Sequence, residues 1–212
     1  MAEEALPRSH SDFVIRDGAL IGDFEGLYQA FEEPWDQRRR EADALEKLIA
    51  LELLRRNGHR APLEYGCGLG YFTRRLQEVC GRAAGVDIAP SAIDRARMLN
   101  PGPDYYVGGI LDRSVFDAFA PDALCLAEVS WYALEALDAF KSLIAERARG
   151  AGFVHLLMTY APGEQRYGAD RFTDLPGIVD YWSDVVEFSD WGQVSGPHYA
   201  GGARTYCYGR IR

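Results

Sequence analysis

Short apolar segments alternate along most of the chain with longer stretches in which apolar residues recur at helical spacing. The short segments are typical of buried strands, and the longer stretches are typical of amphipathic helices. Helices that alternate with short apolar strands predict a mostly parallel sheet covered on both faces. After a first strand that ends near Glu64, the predicted strands are Ala83–Val86, Asp104–Val107, Ala123–Ala127 and Phe153–Met158, and the predicted helices are Tyr71–Cys80, Pro90–Leu99 and Tyr132–Arg147.

The end of the chain breaks this alternation. Val185–Phe188 and Arg204–Ile211 are predicted strands, and no long helix is predicted between them. Two strands joined without a crossover helix must be antiparallel. The expected fold is therefore α/β, with a mostly parallel sheet that finishes in an antiparallel C-terminal strand.

Two predicted helices precede the first strand. One covers about Phe24–Phe31, and the other covers Glu41–Arg56, with apolar residues at helical spacing and a start as early as Pro34 left open. We expect both helices to be an addition that roofs a site on the core. Because no repeat or linker divides the chain, one domain is expected, with a tail at 1–11, a helical lid at 12–58 and an α/β core at 59–212.

Three glycines at alternate positions follow the first strand. Glu64 stands just before Gly66, Gly68 and Gly70, and Asp87 closes the next strand. Glycine lets the backbone turn sharply and approach a ligand closely, and a carboxylate at the second strand end can accept hydrogen bonds from ribose hydroxyls. A dinucleotide fingerprint would have its third glycine one residue later. NAD binding is therefore a lesser alternative. A tight strand-helix turn that binds no ligand is the other alternative.

The pattern E-x-G-x-G-x-G resembles motif I of class I S-adenosylmethionine (SAM)-dependent methyltransferases. This resemblance implies a Rossmann-like class I methyltransferase fold with a mostly parallel seven-stranded sheet. It also implies SAM as the cofactor and S-adenosylhomocysteine (SAH) as its product. SAM carries an ammonium and a sulfonium but no pyrophosphate, and these positive charges suit an acidic strand end.

Composition narrows the choice of partners. The 212 residues carry a formal net charge of −9, and the isoelectric point is near 5.0. Nucleic acid phosphates favour basic surfaces, so a small-molecule substrate is expected. No apolar run approaches the roughly 20 residues that span a bilayer, and the acidic start lacks signal-peptide features, so a cytoplasmic protein without membrane contact is expected. Histidines and cysteines lack metal-ligand spacing, so no metal is expected, and reduced, mostly buried thiols are predicted at Cys67, Cys80, Cys125 and Cys207.

Open α/β sheets bind ligands beyond the carboxyl ends of their strands. Ile88, just after the second strand, is expected to pack on the adenine. After Val107 the implied fold usually has an acid that accepts from the adenine amino group, but this chain has Gly109 there, followed by Ile110. Asp112 or a backbone carbonyl takes that role, unless Asp112 caps the following helix.

The fourth strand is followed by Glu128, Trp131 and Tyr132. In the implied fold this segment lies beside the methyl group and the acceptor. Glu128 is expected to line the sulfonium side or to hold the substrate, and the two aromatic residues are expected to wall the pocket. The alternative is that Glu128 caps the helix predicted from Tyr132. The polar and aromatic loop Ala161–Gly168 is expected to act as a substrate lid.

The choice of base depends on the acceptor. An amine must be neutral to attack a methyl group, and a hydroxyl needs its proton removed. Glu128 could hold a cationic amino sugar or accept that proton. His198, in a loop near the C-terminus, is the reserve candidate for a base, whereas His155 inside a strand is expected to be a core residue.

A narrower resemblance rests on two further elements. Phe31–Trp35 and Ala127–Tyr132 are similar to the small nodulation-type methyltransferases, with Trp131 in place of another aromatic residue. Tyr160–Tyr181 is similar to methyltransferases of polysaccharide and antibiotic-sugar pathways. The nodulation-type family N-methylates an amino sugar, so N-methylation of an amino sugar or a sugar-containing natural product, as in antibiotic biosynthesis, is implied. The alternatives are O-methylation of a sugar or other hydroxylated metabolite, and a non-catalytic SAM-binding protein.

The same resemblance implies that Tyr28 and Trp35 close the cofactor pocket, unless they only pack the N-terminal helices on the core. The predicted cofactor-binding residues are Tyr28, Trp35, Glu64, Gly66, Gly68, Gly70, Asp87, Ile88, Ile110 and Glu128, and the predicted catalytic residues are Glu128, Tyr132 and His198.

Overall fold

The computed structural model describes residues 9–196 and 202–212, with residues 41–43 described by their backbone alone. The helices are α1 (Phe24–Ala30), α2 (Gln37–Asp43), α3 (Leu45–Arg56), α4 (Tyr71–Cys80), α5 (Pro90–Leu99), α6 (Arg113–Phe119), α7 (Leu137–Arg147) and α8 (Leu175–Trp182). The strands are β1 (Ile15–Arg16), β2 (Ala19–Leu20), β3 (Pro62–Tyr65), β4 (Ala84–Asp87), β5 (Asp104–Val107), β6 (Ala123–Ala127), β7 (Gly152–Thr159), β8 (Val186–Val194) and β9 (Ala203–Ile211).

Seven strands form the main sheet in the order β5-β4-β3-β6-β7-β9-β8. The first five in this order are parallel, and β9 lies antiparallel between β7 and β8. This confirms the predicted α/β fold with a mostly parallel seven-stranded sheet and an antiparallel C-terminal strand. The chain winds outward from β3 in one direction and from β6 in the other, so a crevice opens between these two strands at their carboxyl ends.

Two apolar layers cover the two faces of the sheet. Along β6, Leu124 and Leu126 belong to a core cluster on one face, together with Phe140 of α7. Cys125 belongs to a cluster on the other face, together with Phe72 of α4. This alternation is the period of two that a strand imposes on its side chains, and burial on both faces explains why the central strands are apolar throughout.

The predicted helix Tyr132–Arg147 begins later than expected. Short 3-10 turns cover Ser130–Tyr132 and Leu134–Ala136, and α7 begins only at Leu137. The cause is tertiary, because the indole N–H of Trp131 donates to the carbonyl of Met158 (2.9 Å), and the buried Ser130 hydroxyl bonds to His155 (2.8 Å). These contacts hold the segment against β7 and out of helical register.

The second N-terminal helix is also divided. The predicted span Glu41–Arg56, with its alternative start at Pro34, corresponds to α2 and α3, which are separated at Ala44 by an extended backbone (ψ 90°). Within α3 the buried face differs from the predicted one, since Leu45 and Leu48 are exposed whereas Glu46 is buried. An acidic residue therefore occupies a position on the inward face of this helix.

Several elements were not predicted from the sequence. They are the hairpin of β1 and β2, helix α8, and the continuation of β8 beyond Phe188 to Val194, where an irregularity interrupts the pairing. Of the predicted tail, 1–8 lie outside the described residues, and His10–Asp12 form a 3-10 turn that precedes the buried Phe13. The pattern of apolar and polar residues does not predict such short elements, because packing on the core stabilises them.

Within 9–196 and 202–212, no helix is long and apolar enough to cross a membrane. The same part of the chain contains no group of three or more His, Cys, Asp or Glu side chains placed to hold a metal ion. All four cysteines are buried free thiols, as the sequence predicts.

Candidate cofactor and acceptor site

A cavity of about 1480 Å³ opens at the carboxyl ends of β3, β4 and β6, beneath the N-terminal helices. Open α/β sheets bind their ligands at this position. The cavity crosses the sheet edge from Asp87 on β4 to Arg204 on β9. All of the predicted cofactor-binding residues line it except Gly68 and Gly70.

The glycine turn after β3 is compact. Gly66 and Gly68 have φ angles of 69° and 53°, a region that side chains disfavour. The amides of Gly66 and Cys67 both donate to the carbonyl of Val86, at 2.8 and 3.0 Å. A Cβ at Gly66 would lie 2.5 Å from the side chain of Val129. Of the three motif glycines, Gly66 lines the cavity, whereas Gly68 and Gly70 shape the turn behind it.

Asp87 links the glycine turn to the second strand. Its Oδ2 accepts from the amide of Gly68 (2.9 Å), and its Oδ1 accepts from the amide of Ala89 (3.0 Å). Burial raises the pKa of Asp87, while these backbone donors act in the opposite direction. A carboxylate oxygen has more than one lone pair, so Asp87 can still accept hydrogen bonds from a ligand in the cavity.

The predicted roof is in contact with the glycine turn. The Gln37 side chain donates to the carbonyl of Cys67 (3.2 Å) and accepts from the amide of Leu69 (2.8 Å). A Cβ at Gly68 would lie only 2.5 Å from the Tyr28 hydroxyl oxygen. Gln37 was missed in the sequence because a polar residue that bonds to a turn thirty positions away leaves no local pattern.

Helix α1 is attached to α5 by polar contacts. The Glu25 carboxylate accepts from the amide (3.0 Å) and the hydroxyl (2.5 Å) of Ser91 at the start of α5. The Arg95 guanidinium donates to the carbonyls of Tyr28 (3.1 Å) and Phe31 (3.0 Å) at the end of α1. These bonds hold the roof over the cavity.

Aromatic rings form one wall of the cavity. Tyr132 lies 5.6 Å from Phe24 and 5.2 Å from Trp35, measured between ring centroids, and Trp35 contacts His10 edge-on at 4.5 Å. Burial, reinforced by the charge of Glu128, raises the pKa of Tyr132 well above its usual range. The phenol therefore stays protonated near neutral pH and can donate a hydrogen bond but not act as a base.

Glu128 lies at the end of β6 with a φ of 63°. Its carboxylate accepts from the amide of Met158 (2.9 Å) and pairs with the guanidinium of Arg204 (2.7 Å). It therefore faces β7 and β9, and the alternative in which it caps the following helix is wrong. Arg204 was missed because it comes from the last strand, far along the chain.

Asp112 caps α6, accepting from the amide of Ser114 at 3.0 Å, and it does not line the cavity. The helix-cap alternative is therefore the observed one. Gly108 to Leu111 line the cavity instead, so their backbone stands where the usual acid would.

The remaining candidates lie elsewhere. His198 lies outside the described residues. His155 is fully buried, and burial lowers its pKa to about 3, so it remains a neutral core residue, as predicted. The loop Ala161–Gly168, predicted to be a substrate lid, does not line the cavity, although Tyr160 just before it does. Gly168 packs against Leu134 and Trp131, and the role of this loop as a substrate lid stays a prediction.

Comparisons with known proteins agree with this geometry. Residues 63–151 match a family model described as a methyltransferase domain. Nodulation protein S of Rhizobium tropici is 30% identical over 74% of this chain and 64% of its own length. A malonyl-[acyl-carrier protein] O-methyltransferase of Serratia marcescens is 29% identical over 54% of this chain and 44% of its own. The chain spans about half the length of the curated relatives that it matches.

Solved structures show the same fold. The N-methyltransferase NodS from Bradyrhizobium japonicum WM9, in complex with SAH, superimposes with a TM-score of 0.67 at 20% identity, over 89% of this chain and 97% of that one. The resemblance predicted from motif I is thereby confirmed: the chain carries a class I SAM-dependent methyltransferase domain that resembles nodulation protein S.

Proposed function

We propose that this protein transfers the methyl group of SAM to an amine of an amino sugar or of another sugar-containing small molecule. The observation that carries the proposal is the extent of the cavity. It joins the motif I turn and Asp87 on β4 to the acidic and aromatic groups Glu128 and Tyr132 after β6. One cavity thus has room for a nucleoside and for an acceptor beside it.

The residues that line the cavity suit SAM. Asp87 is buried, faces the cavity and has acceptor capacity left for the ribose hydroxyls. Ile88 and Ile110 offer apolar surface for the adenine, and Gly66 brings the backbone of the glycine turn to the cavity, where the amino acid part can approach it. Glu64, whose carboxylate accepts from the Thr73 hydroxyl, adds negative charge near the ammonium. When bound, SAM supplies a methyl group made electrophilic by the sulfonium.

The work of the protein is then to align the acceptor and to exclude water. In-line attack needs the acceptor atom held close to the methyl carbon, and such alignment supplies much of the rate increase. Tyr132, Trp35 and Phe24 form a rigid wall at this point. The carboxylate of Glu128, fixed by Met158 and Arg204, supports an acceptor side that attracts a positively charged amino sugar.

An amine acceptor is supported by the N-methyltransferase NodS in the comparisons and by the acidic groups of the cavity. A hydroxyl acceptor is the second candidate, supported by the O-methyltransferase relative and by the protonated Tyr132, which can orient an oxygen. Free thiols are typical of a reducing compartment, and we propose that the reaction occurs in the cytoplasm.

A mass-spectrometric screen tests the proposal. The protein is incubated with SAM and with amino sugars, aminoglycosides or hydroxylated glycosides, and products are searched for added methyl mass. We expect methylated amino sugars with the wild type and a strong reduction with Asp87→Ala. Binding of SAH without turnover on any acceptor would contradict the proposal and favour a non-catalytic SAM-binding protein.

A further inference from the structure

One carboxylate of the cavity differs from the others. Glu46, in the first turn of α3, lines the cavity and is only 4% exposed, yet its Oε2 has no hydrogen-bond partner among the residues that the structure describes. The other acids that line the cavity all accept hydrogen bonds from the protein. Glu64 accepts from Thr73, Asp87 from two backbone amides and Glu128 from Met158 and Arg204.

The position of Glu46 is costly for stability. It shares the inward face of α3 with the buried residues Ala50, Leu53 and Leu54, where an apolar side chain would pack without penalty. An acid in a first helical turn gains only a small stabilisation from the helix dipole. Burying a carboxylate oxygen that has no hydrogen-bond donor costs more than that. Helix stabilisation therefore does not explain an acid at this place.

The groups that face Glu46 bias it toward accepting a proton. Burial raises its pKa, and the negative charge of Glu128 acts in the same direction. The backbone amide of Glu46 itself, Arg204 and Lys47 act in the opposite direction. The carboxyl group of Glu46 thus lies near Glu128 and Arg204 of the proposed acceptor site. Its Oε2 has no hydrogen-bond partner among the described residues and can accept one from a ligand.

We propose that Glu46 is a catalytic residue that binds the ammonium group of the acceptor and takes its proton. This inference rests on the proposed methyl transfer and narrows its substrate class to primary or secondary amines. Glu128, held by Arg204, orients the sugar, while Oε2 of Glu46 receives the hydrogen bond that the protein itself does not supply.

The step balances. The ammonium R–NH3⁺ gives one proton to the Glu46 carboxylate and becomes R–NH2. Its lone pair forms the N–C bond to the methyl group as the S–C bond breaks, and the electron pair of that bond returns to sulfur, which leaves SAH. The product departs as R–NH2CH3⁺, and Glu46 releases its proton to solvent.

The test uses Glu46→Gln, which keeps the shape and removes the proton acceptor. Glu52→Gln is the matched control, because Glu52 lies exposed on the same helix and pairs with the nearby Arg55. Glu46→Asp keeps the acid as the conservative variant. Glucosamine is the acceptor probe, with the amines found in the screen. SAH affinity is measured by calorimetry, and kcat/KM is measured across pH.

We expect Glu46→Gln to lower kcat/KM for amines by about 100-fold or more, with SAH affinity unchanged and the acidic limb of the pH profile lost. Glu46→Asp should recover part of the activity, and Glu52→Gln should match the wild type. Equal amine turnover by wild type and Glu46→Gln would overturn the assignment while leaving methyl transfer intact. Methylation of hydroxyls alone would overturn it too.

If the wild type binds SAH but methylates nothing, the proposed function fails separately. Binding of glucosamine to the SAH complex then decides the role of Glu46. Weaker binding to Glu46→Gln than to Glu52→Gln would support Glu46 as the amine-binding residue, and equal binding would overturn it.

Discussion

Two carboxylates, Asp87 and Glu128, lie in different parts of the cavity. Asp87 is positioned by the amides of Gly68 and Ala89, so its carboxylate is held in one orientation at the cavity. Glu128 is positioned in the same way by Met158 and Arg204 on the acceptor side. Pre-oriented groups of this kind bind a ligand without a cost for their own ordering.

Asp87→Ala should weaken SAH binding by about 1–3 kcal/mol, because the ribose hydroxyls lose their acceptor. Asp94→Ala is the control, since Asp94 is an exposed acid on α5 that pairs with Arg97. Calorimetry of both variants measures the difference. Unchanged affinity in Asp87→Ala would mean that the ribose lies elsewhere.

Gly68→Ala should disturb the roof. The added Cβ would lie 2.5 Å from Gln37 Oε1 and from the Tyr28 hydroxyl, in addition to the strain of a φ of 53°. Gly58→Ala isolates the strain, because Gly58 has a φ of 76° and no atom within 4 Å of an added Cβ. We expect weaker SAH binding only for Gly68→Ala. Equal binding by both variants would show that contact between roof and turn is unimportant.

Glu46→Gln should raise the melting temperature at pH 8. The pKa of Glu46 is raised in the folded state, so ionising it costs folded-state stability above that pKa, and protonation removes this cost as the pH falls through it. The gain from glutamine should therefore shrink toward pH 5. Thermal melts of Glu46→Gln and Glu52→Gln at both pH values measure it. A Glu46→Gln variant less stable than wild type at pH 8 would contradict the buried, unpartnered carboxylate.

Site residues that are close together along the chain were predicted better than those contributed by distant elements. Glu64, Gly66 and Asp87 belong to one strand-turn-helix-strand unit, so their spacing alone indicated a shared edge of the sheet. Gln37 and Arg204 reach the site from other parts of the chain. A single sequence carries no signal for such long-range contacts, since they depend on how the elements pack.

At the scale of elements, the roof is the feature that distinguishes this site from a bare sheet edge. Helix α2 contacts the glycine turn through Gln37, and α1 is attached to α5 by Glu25 and Arg95. The strands were predicted well because apolar runs between turns are strong signals. The helix boundaries of α2, α3 and α7 were not, because burial of Trp131 and a break at Ala44 override local preference.

Amide exchange in residues 24–37 should slow when SAH is added, because a ligand in the cavity contacts the roof and suppresses its local opening. Arg95→Ala removes the bonds to the end of α1 and should speed this exchange in the free protein. Helix α8 does not line the cavity and is the internal control. If the amide exchange rates in residues 24–37 are the same with and without SAH, the roof is not part of the binding site.

At the scale of the whole molecule, the net charge restricts the class of partner, and the fold matches one architecture. The net charge of −9 disfavours nucleic acid partners, and the fold comparison identifies the class I methyltransferase architecture. The large cavity crosses five adjacent strands of the sheet, from β4 to β9. This extent leaves room for a cofactor and for the sugar-sized acceptor that we propose.

The most direct test of amine methylation follows the transferred carbon. The wild-type protein is incubated with SAM labelled with ¹³C in the methyl group and with ¹⁵N-labelled glucosamine, and the mixture is analysed by nuclear magnetic resonance. We expect a new methyl signal coupled to ¹⁵N, which shows that the N–C bond has formed. A methyl signal that stays on sulfur, or one that appears on an oxygen of the sugar, would contradict it.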